Sequence, residues 1–395
     1  LDGARAVAYD PARQLVLVAS GSAGSLSVVS LADPSSPTVV GSVSSAQLAG
    51  AHGVAYDASG QLAFVPSEDT DSLVVVSVVD PANPVVVGVL EDAGALRGAS
   101  AAVYDGATDR VYVACAGARS VAVVDVSTAS SPSLVGVLVD EVSLAGAAGI
   151  AYDAASQHVV VACAGGGGAV GGVAVVDVVS DPEHPRVVGA VSDAGSLTGA
   201  SSVAVSGSSQ LAFVASDGSV AVVSVAIGSA PVVVGTLPLP SLVSGATSSV
   251  AYDPSTSRLL VSIGASSSLA IVDVSDPGQP ALASTFVDTL VLDGASGVVY
   301  DVETGRAVVA SEQAGSVAVV CVPQPVVAVC GSSLSVLDFV ELGSALSLRS
   351  MARFGSTLST FGLVMTGSCM KLSVIDCLTL GSSTSLRAFM RGGSA

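Results

Sequence analysis

Tryptophan is absent from this 395-residue chain, and lysine and asparagine occur once each, as Lys371 and Asn83. Only 13 residues are Lys or Arg. No basic patch can therefore form, and nucleic acid and anionic membrane are excluded as partners, because neutralising phosphates requires clustered cations. No run of about 20 apolar residues escapes interruption by Asp, Ser or Gly, so neither a transmembrane helix nor membrane insertion is expected. Cysteines never fall in a C-x-x-C pair or at zinc-ligand spacing. The three histidines, His52, His158 and His184, are never at ligand spacing. A G-x-S-x-G elbow is missing, which removes support for an α/β-hydrolase serine.

What remains is apolar and glycine-rich: 50% hydrophobic residues, 43 glycines and 11% charged residues. Short valine-rich runs alternate with Gly/Ser/Pro/Asp clusters, the texture of many short strands. Charge is unevenly distributed. Residues 1–330 carry 8 Lys/Arg against 29 Asp/Glu, net −21, whereas residues 331–395 carry 5 against 3, net +2. Cys115 and Cys163 share a "VACAG" context; with Cys321, Cys330, Cys369 and Cys377 they read as small buried hydrophobes. The chain opens at Leu1 in the middle of a pattern and without an initiator Met, so a targeting segment can precede it.

That pattern is an internal repeat. V-A-Y-D or a close variant recurs with its tyrosine at 9, 56, 104, 152, 252 and 300, and "SSVAVSGSSQLAFVAS" (201–216) fills the one long gap with Val205 in the tyrosine slot. Seven units of about 48 residues result, each with four strand candidates in fixed order. In the third unit these are "AAVYD", "RVYVACA", "SVAVVDV" and "SLVGVL". Runs such as "LVVVSVV" (73–79) are too continuous for a sheet with one wet face, but suit a sheet sandwiched between two others. The expectation is an all-β, seven-bladed β-propeller of four-stranded blades over 1–330, with the Gly/Ala/Ser-rich first strand innermost.

The strings "LAIVDVSDPGQPAL", "SVAVVDVSTASSPSLVGVL" and "LVVVSVVDPANPVVVGVL" resemble the LVIVD repeat and are similar to YVTN-type surface-layer propeller repeats. The resemblance covers about 1–330. It implies a surface-associated or extracellular scaffold, since such proteins mostly lack an assigned reaction. Beyond it, Gly-Ser-initiated units of 12 residues begin at Gly331, Gly343 and Gly355, followed by a 14-residue unit at Gly367. They read as a β-solenoid or meander, with a low-complexity extension as the plainer alternative. The pattern stops at "RGGSA" as if truncated.

Chemistry in a propeller gathers at one mouth of the channel, on the loops leading into the innermost strands. The third residues of the G-A-x lead-ins form a candidate ligand ring: Arg5, His52, Ser100, Ser201, Thr247 and Ser296, with Ala148 in the remaining unit. This set is no calcium cage, which needs about 6–8 oxygens including several carboxylates. Acids just upstream, Asp92, Asp140, Asp193 and Asp288, are the candidates for a divalent cation. "GGGGAVGG" (165–172) lacks G-K-[ST] and joins two strands, so it reads as a lengthened hairpin loop and not as a phosphate cradle. Across the units the Asp273 slot reads Ser, Asp or Cys and the Asp276 slot Asp, Thr or Ile, a variation that reads as turn punctuation.

Three functions follow as expectations. The first is a non-catalytic, monomeric scaffold with a protein partner, no cofactor and a cell-surface or extracellular setting. The second is a propeller-type hydrolase or lyase using a divalent cation at the acidic mouth. The third is an intracellular protein-interaction hub.

Overall fold

The computed structural model describes residues 1–226, 228–239 and 249–322. Thr247, Cys330, Cys369, Cys377 and the 12-residue repeats lie outside the described residues. Seven antiparallel sheets follow one another along the chain, six with four strands in sequence order and the last with three among the described residues. We number these blades I to VII. Their first strands are Ala4–Asp10, Ala55–Asp57, Ala99–Asp105, Ala147–Asp153, Ser202–Ser206, Ser249–Asp253 and Ala295–Asp301. These strands stand beside one another around the ring, and that of blade VII adjoins that of blade I, so the ring is closed.

Burial explains the continuous apolar runs. The second strands are buried along almost their full length, as in Leu15–Ser20, and the third strands nearly so, as in Ser120–Asp125. Each blade shows both faces to neighbours, so a polar alternation would place unpaired polar groups in a dry seam. The buried side chains divide into seven apolar clusters, one per seam. Phe64, Leu73, Val111 and Val113 join blades II and III, and Val16, Val18, Val308 and Ala310 join blades I and VII.

Four of the loops between blades, those leading into blades III, IV, V and VII, repeat one design. An aspartate opens the loop, a leucine follows four residues later, then comes a glycine and a buried alanine. Leu96, Leu144, Leu197 and Leu292 are fully buried, and their N–H groups bond the carbonyls of Asp92, Asp140, Asp193 and Asp288 at 2.8–3.2 Å. The glycine sits in the left-handed region, with φ of 66° at Gly98 and 65° at Gly199, as does Gly3 before blade I at 69°. A Cβ there would lie 2.3 Å from the Ser22 hydroxyl oxygen or 2.6 Å from the Gly117 nitrogen, so both conformation and space select glycine.

The turn between first and second strands carries another left-handed residue, usually not glycine: Gln14, Gln61, Gln157 and Gln210 have φ between 53° and 58°. Blade VII places Gly305 there, at φ 67°. A non-glycine residue in this region costs about 1–2 kcal/mol. Gln157→Gly is therefore expected to stabilise the protein by about 1 kcal/mol in urea unfolding; a destabilisation would show that the glutamine side chain holds the turn by other contacts.

Candidate functional site

The lead-in loops and the turns between second and third strands share one face of the ring, where the first strands begin. Arg5, His52, Ser100, Ser201 and Ser296 all lie there, at the heads of the first strands of blades I, II, III, V and VII, and each is engaged in holding blades together or in its own blade's ladder. Arg5 Nε bonds Glu312 Oε1 at 3.1 Å, from blade I to blade VII. His52 bonds through Nδ1 to the Ser100 carbonyl of the next blade at 3.1 Å. Because a carbonyl only accepts, Nδ1 carries the proton and Nε2 is the unprotonated nitrogen of the neutral ring. The Ser100 hydroxyl donates to the Ala147 and Ala114 carbonyls at 2.9 and 3.0 Å. That of Ser296 bonds Ala4 O at 2.8 Å across the seam where the ring closes, and that of Ser201 reaches Ala215 O at 3.4 Å in its own blade.

Burial lowers the pKa of His52, and the neighbouring Arg5 charge adds to this; Glu68, the Ser100 bond and Glu312 oppose it. A histidine whose folded pKa lies below its unfolded value of about 6.5 contributes stability above that pH, and this is lost as pH falls through the folded value. The aspartates give a second, lower window. For Asp10, burial favours the neutral acid, but bonds from Arg13 and Tyr56 outweigh it and hold the carboxyl below its usual range. Asp253 and Asp301 are likewise held low against burial by hydrogen bonds from their own turns and from a tyrosine. Their stabilisation is complete above about pH 3.9 and disappears on further acidification. A plot of melting temperature against pH is expected to fall in two stages, a small one below about pH 6.5 and a steep one below about pH 4. His52→Gln should remove only the first stage; an unchanged profile would refute its assignment.

The four cation candidates do not converge. Asp92 Oδ1 accepts from the Gly94 and Ala95 amides, both at 2.9 Å. Asp140 Oδ1 accepts from Val142 and Ser143 at 2.9 and 2.8 Å, and Asp288 Oδ1 from Leu290 and Val291 at 2.9 and 3.2 Å. Asp193 bonds the Gly195 amide at 3.0 Å and the Ser196 hydroxyl. Each carboxylate closes its own loop, one per seam, and these bonds hold Asp92, Asp140 and Asp193 below the usual carboxylate range. Among the described residues no three His, Cys, Asp or Glu side chains could share one metal ion. His158 and His184 are apart in their bonding too, to the Ser156 carbonyl and to Asp181 respectively.

The cysteines divide. Cys115 and Cys163 are buried, and burial pushes both thiols up to about 12, which removes the thiolate needed for nucleophilic chemistry. Cys321 departs from the expected burial: it is exposed at the end of its strand. Residues 165–171 do join two strands of blade IV, with positive φ at Gly165, Gly166, Gly167 and Gly168.

The repeat motif itself does work that its regularity concealed. Tyr56 Oη donates to Asp10 Oδ2 of the preceding blade at 2.8 Å, and Tyr9 Oη to Asp301 at 3.1 Å. Tyr152 faces Asp105, and Tyr300 faces Asp253. Arg13 adds a clamp, bonding Asp10, Tyr56 Oη and the Val78 carbonyl. Tyrosine and aspartate of V-A-Y-D thus pin neighbouring blades from opposite sides of a seam, on the face away from the lead-in loops. Blade V lacks both members, with Val205 and Ser206 in their place. These two losses fall in different pairs, one opposite Asp153 of blade IV and the other opposite Tyr252 of blade VI, so no single unit signals the contact. Tyr104 turns instead to Asp109 of its own blade at 2.8 Å.

Comparison with known proteins matches the LVIVD repeat family at residues 109–140 and 263–288, in blades III and VI. Among solved structures, hydrazine synthase of Kuenenia stuttgartiensis is similar with TM-score 0.67 and 16% identity, over 81% of this chain and 96% of that one. A functionally unknown protein from Desulfotomaculum acetoxidans gives 0.59 and 13%, over 82% and 90%. The Cps50 (Swd1) β-propeller domain of Myceliophteria thermophila gives 0.61 and 10%, over 82% and 97%. At these identities the likeness is one of fold. No curated protein matches the chain in sequence.

Proposed function

From a seven-bladed β-propeller that carries LVIVD repeats, we propose a non-catalytic scaffold that holds a protein partner at the cell surface or outside the cell. The observation that carries this reading is the internal engagement of the reactive side chains. The mouth hydroxyls bond neighbouring carbonyls, the loop aspartates cap their own turns, and the buried thiols are held protonated. A catalytic site needs groups that converge on a reacting atom with spare donors and acceptors. Among the described residues, the candidate mouth side chains bond within their own blade or loop or to a neighbouring blade. The cell-surface setting draws on the resemblance to repeats of surface-layer proteins, and the protein partner on the use of propeller rims as rigid platforms. The family and fold likenesses support a shared architecture and leave the partner to experiment.

Native mass spectrometry after incubation with Ca²⁺, Mg²⁺, Mn²⁺ or Zn²⁺ tests the reading against its metal-dependent rival. The bare chain mass is expected with each ion; one ion retained stoichiometrically would overturn it. Protease shaving of intact source cells tests the setting, with release of peptides from 1–322 expected and their retention inside the cell counting against it.

A further inference from the structure

Every seam of the ring but one is spanned by a tyrosine. Tyr9 and Tyr56 reach Asp301 and Asp10 of the blade before them, and Tyr300 faces Asp253. The rings of Tyr104, Tyr152 and Tyr252 lie 4.6–5.4 Å from those of Phe64, Tyr112 and Phe213, again in the preceding blade. Between blades IV and V the tyrosine slot holds Val205, and Val160 faces it where blades II, III and V carry Phe64, Tyr112 and Phe213. Of the seven apolar clusters, the one at this seam is alone in lacking an aromatic ring among the described residues. Asp153, the carboxylate that a tyrosine at position 205 would meet, is 6% exposed and accepts the Ala155 amide of its own turn at 3.0 Å. On the opposite face, Ala148 occupies the slot from which His52, Ser100 and Ser296 bond a carbonyl of the next blade.

We propose that the ring is built to part at the seam between blades IV and V, ahead of the other six, while the loop of residues 193–200 keeps the two blades linked. The losses are concentrated at one place. Scattered changes would weaken several seams a little, whereas here the ring on each bank, the hydroxyl on the carboxylate and the mouth donor are all missing together. Aliphatic packing around Leu197 holds this seam, with the bond from the Gly199 amide to the Ala164 carbonyl at 3.2 Å. Aromatic pairs and hydrogen bonds to a charged group both hold surfaces together, and one bond to a carboxylate shifts an opening equilibrium by about tenfold or more. Each strand pairs within its own blade, so such an opening leaves the ladders intact and moves two sheets apart without unfolding either. Asp153 stays in place as half of the missing pin, and the seam can be locked by restoring the other half.

Cysteine accessibility in the full chain tests this. Ala162 and Ala114 occupy the same slot of the second strand in blades IV and III and are fully buried, the first in the IV–V seam and the second in the III–IV seam. Ala212 and Ala63 form a second matched pair, in the IV–V and I–II seams. Each is replaced singly by cysteine, and labelling by a maleimide under native conditions is read peptide by peptide in mass spectrometry, with the native cysteines left in place. A162C should label about tenfold faster than A114C, and A212C about tenfold faster than A63C. Adding V205Y, which returns a tyrosine opposite Asp153, should slow A162C and A212C by about tenfold and leave A114C and A63C within about twofold. The second pair keeps the comparison available should a member of the first fail to fold. Equal rates within the pairs, or a V205Y that slows all four alike or none of them, overturns the proposal.

Discussion

Replacing Gly136 by alanine is expected to lower the unfolding free energy by about 3 kcal/mol, a large share of the stability of a typical domain. The cause is steric and local. A Cβ at Gly136 would lie 2.2 Å from the Pro182 carbonyl oxygen and 2.8 Å from that of Glu183. Both are backbone atoms of the next blade's outer turn, so no side-chain rotation relieves the clash. The slot recurs: at Gly41, Gly88 and Gly235 the added carbon would fall within 2.1–2.2 Å of a carbonyl oxygen of the same turn in the following blade. In the repeat, glycine and the Pro-bracketed turn thus form the two halves of one contact, made between blades. Ser284 supplies the control, since a Cβ already stands in that position and is exposed; Ser284→Ala should change stability by less than about 0.5 kcal/mol. Equal effects of the two substitutions in urea unfolding would sink the argument.

Leu144→Ala should cost about 2–5 kcal/mol through lost burial and the cavity left behind. Leu144 has no exposed surface and packs with Tyr112, Val123, Ile150 and Val161 between blades III and IV. Its loop is short and pinned at both ends, by the Leu144 amide on the Asp140 carbonyl at 3.2 Å and by the Ala147 amide on the Leu144 carbonyl at 3.2 Å. Collapse into the cavity is thereby resisted, which favours the upper half of the range. Asp140→Ala removes only the cap on the Val142 and Ser143 amides and should cost about 1 kcal/mol. Calorimetry of both variants checks the order. An Asp140 substitution more damaging than that of Leu144 would mean that the carboxylate does something besides closing its loop.

Seven units were countable in the sequence because each writes the same four strands and the same turns, and continuous apolar runs such as "LVVVSVV" (73–79) have no stable place except between two sheets. The lead-in glycines were visible as part of G-A-x, and the turn role of Asp273, which bonds the Ser275 amide at 2.9 Å, followed from comparison between units. What stayed hidden was contact between units. Tyr56 and Asp10 are 46 residues apart, and nothing in either unit alone says that the hydroxyl of one reaches the carboxylate of the other. The mouth residues show the same limit. His52 and Ser100 occupy equivalent slots in consecutive units, yet the bond runs from the ring of one to the backbone of the other. Asp92 and its counterparts looked like ligands because acids above a channel are suited to cations; the loop amides that engage them belong to backbone, which composition does not display.

Six seams of the ring are crossed by the polypeptide itself, whereas the seam between blades VII and I is held among the described residues by side chains and packing: Tyr9 with Asp301, Arg5 with Glu312, Ser296 with the Ala4 carbonyl, and the small cluster around Val16 and Val308. In a linear stack of repeats the terminal units fray, since each has one neighbour; in a circle every unit has two and none is terminal. Parting this one seam turns the circle into a stack, exposing two ends while leaving every blade's own ladder intact. Cooperativity of the whole molecule therefore hangs on a clasp of a few residues, and a circle that opens there would lose its blades in order from the two ends.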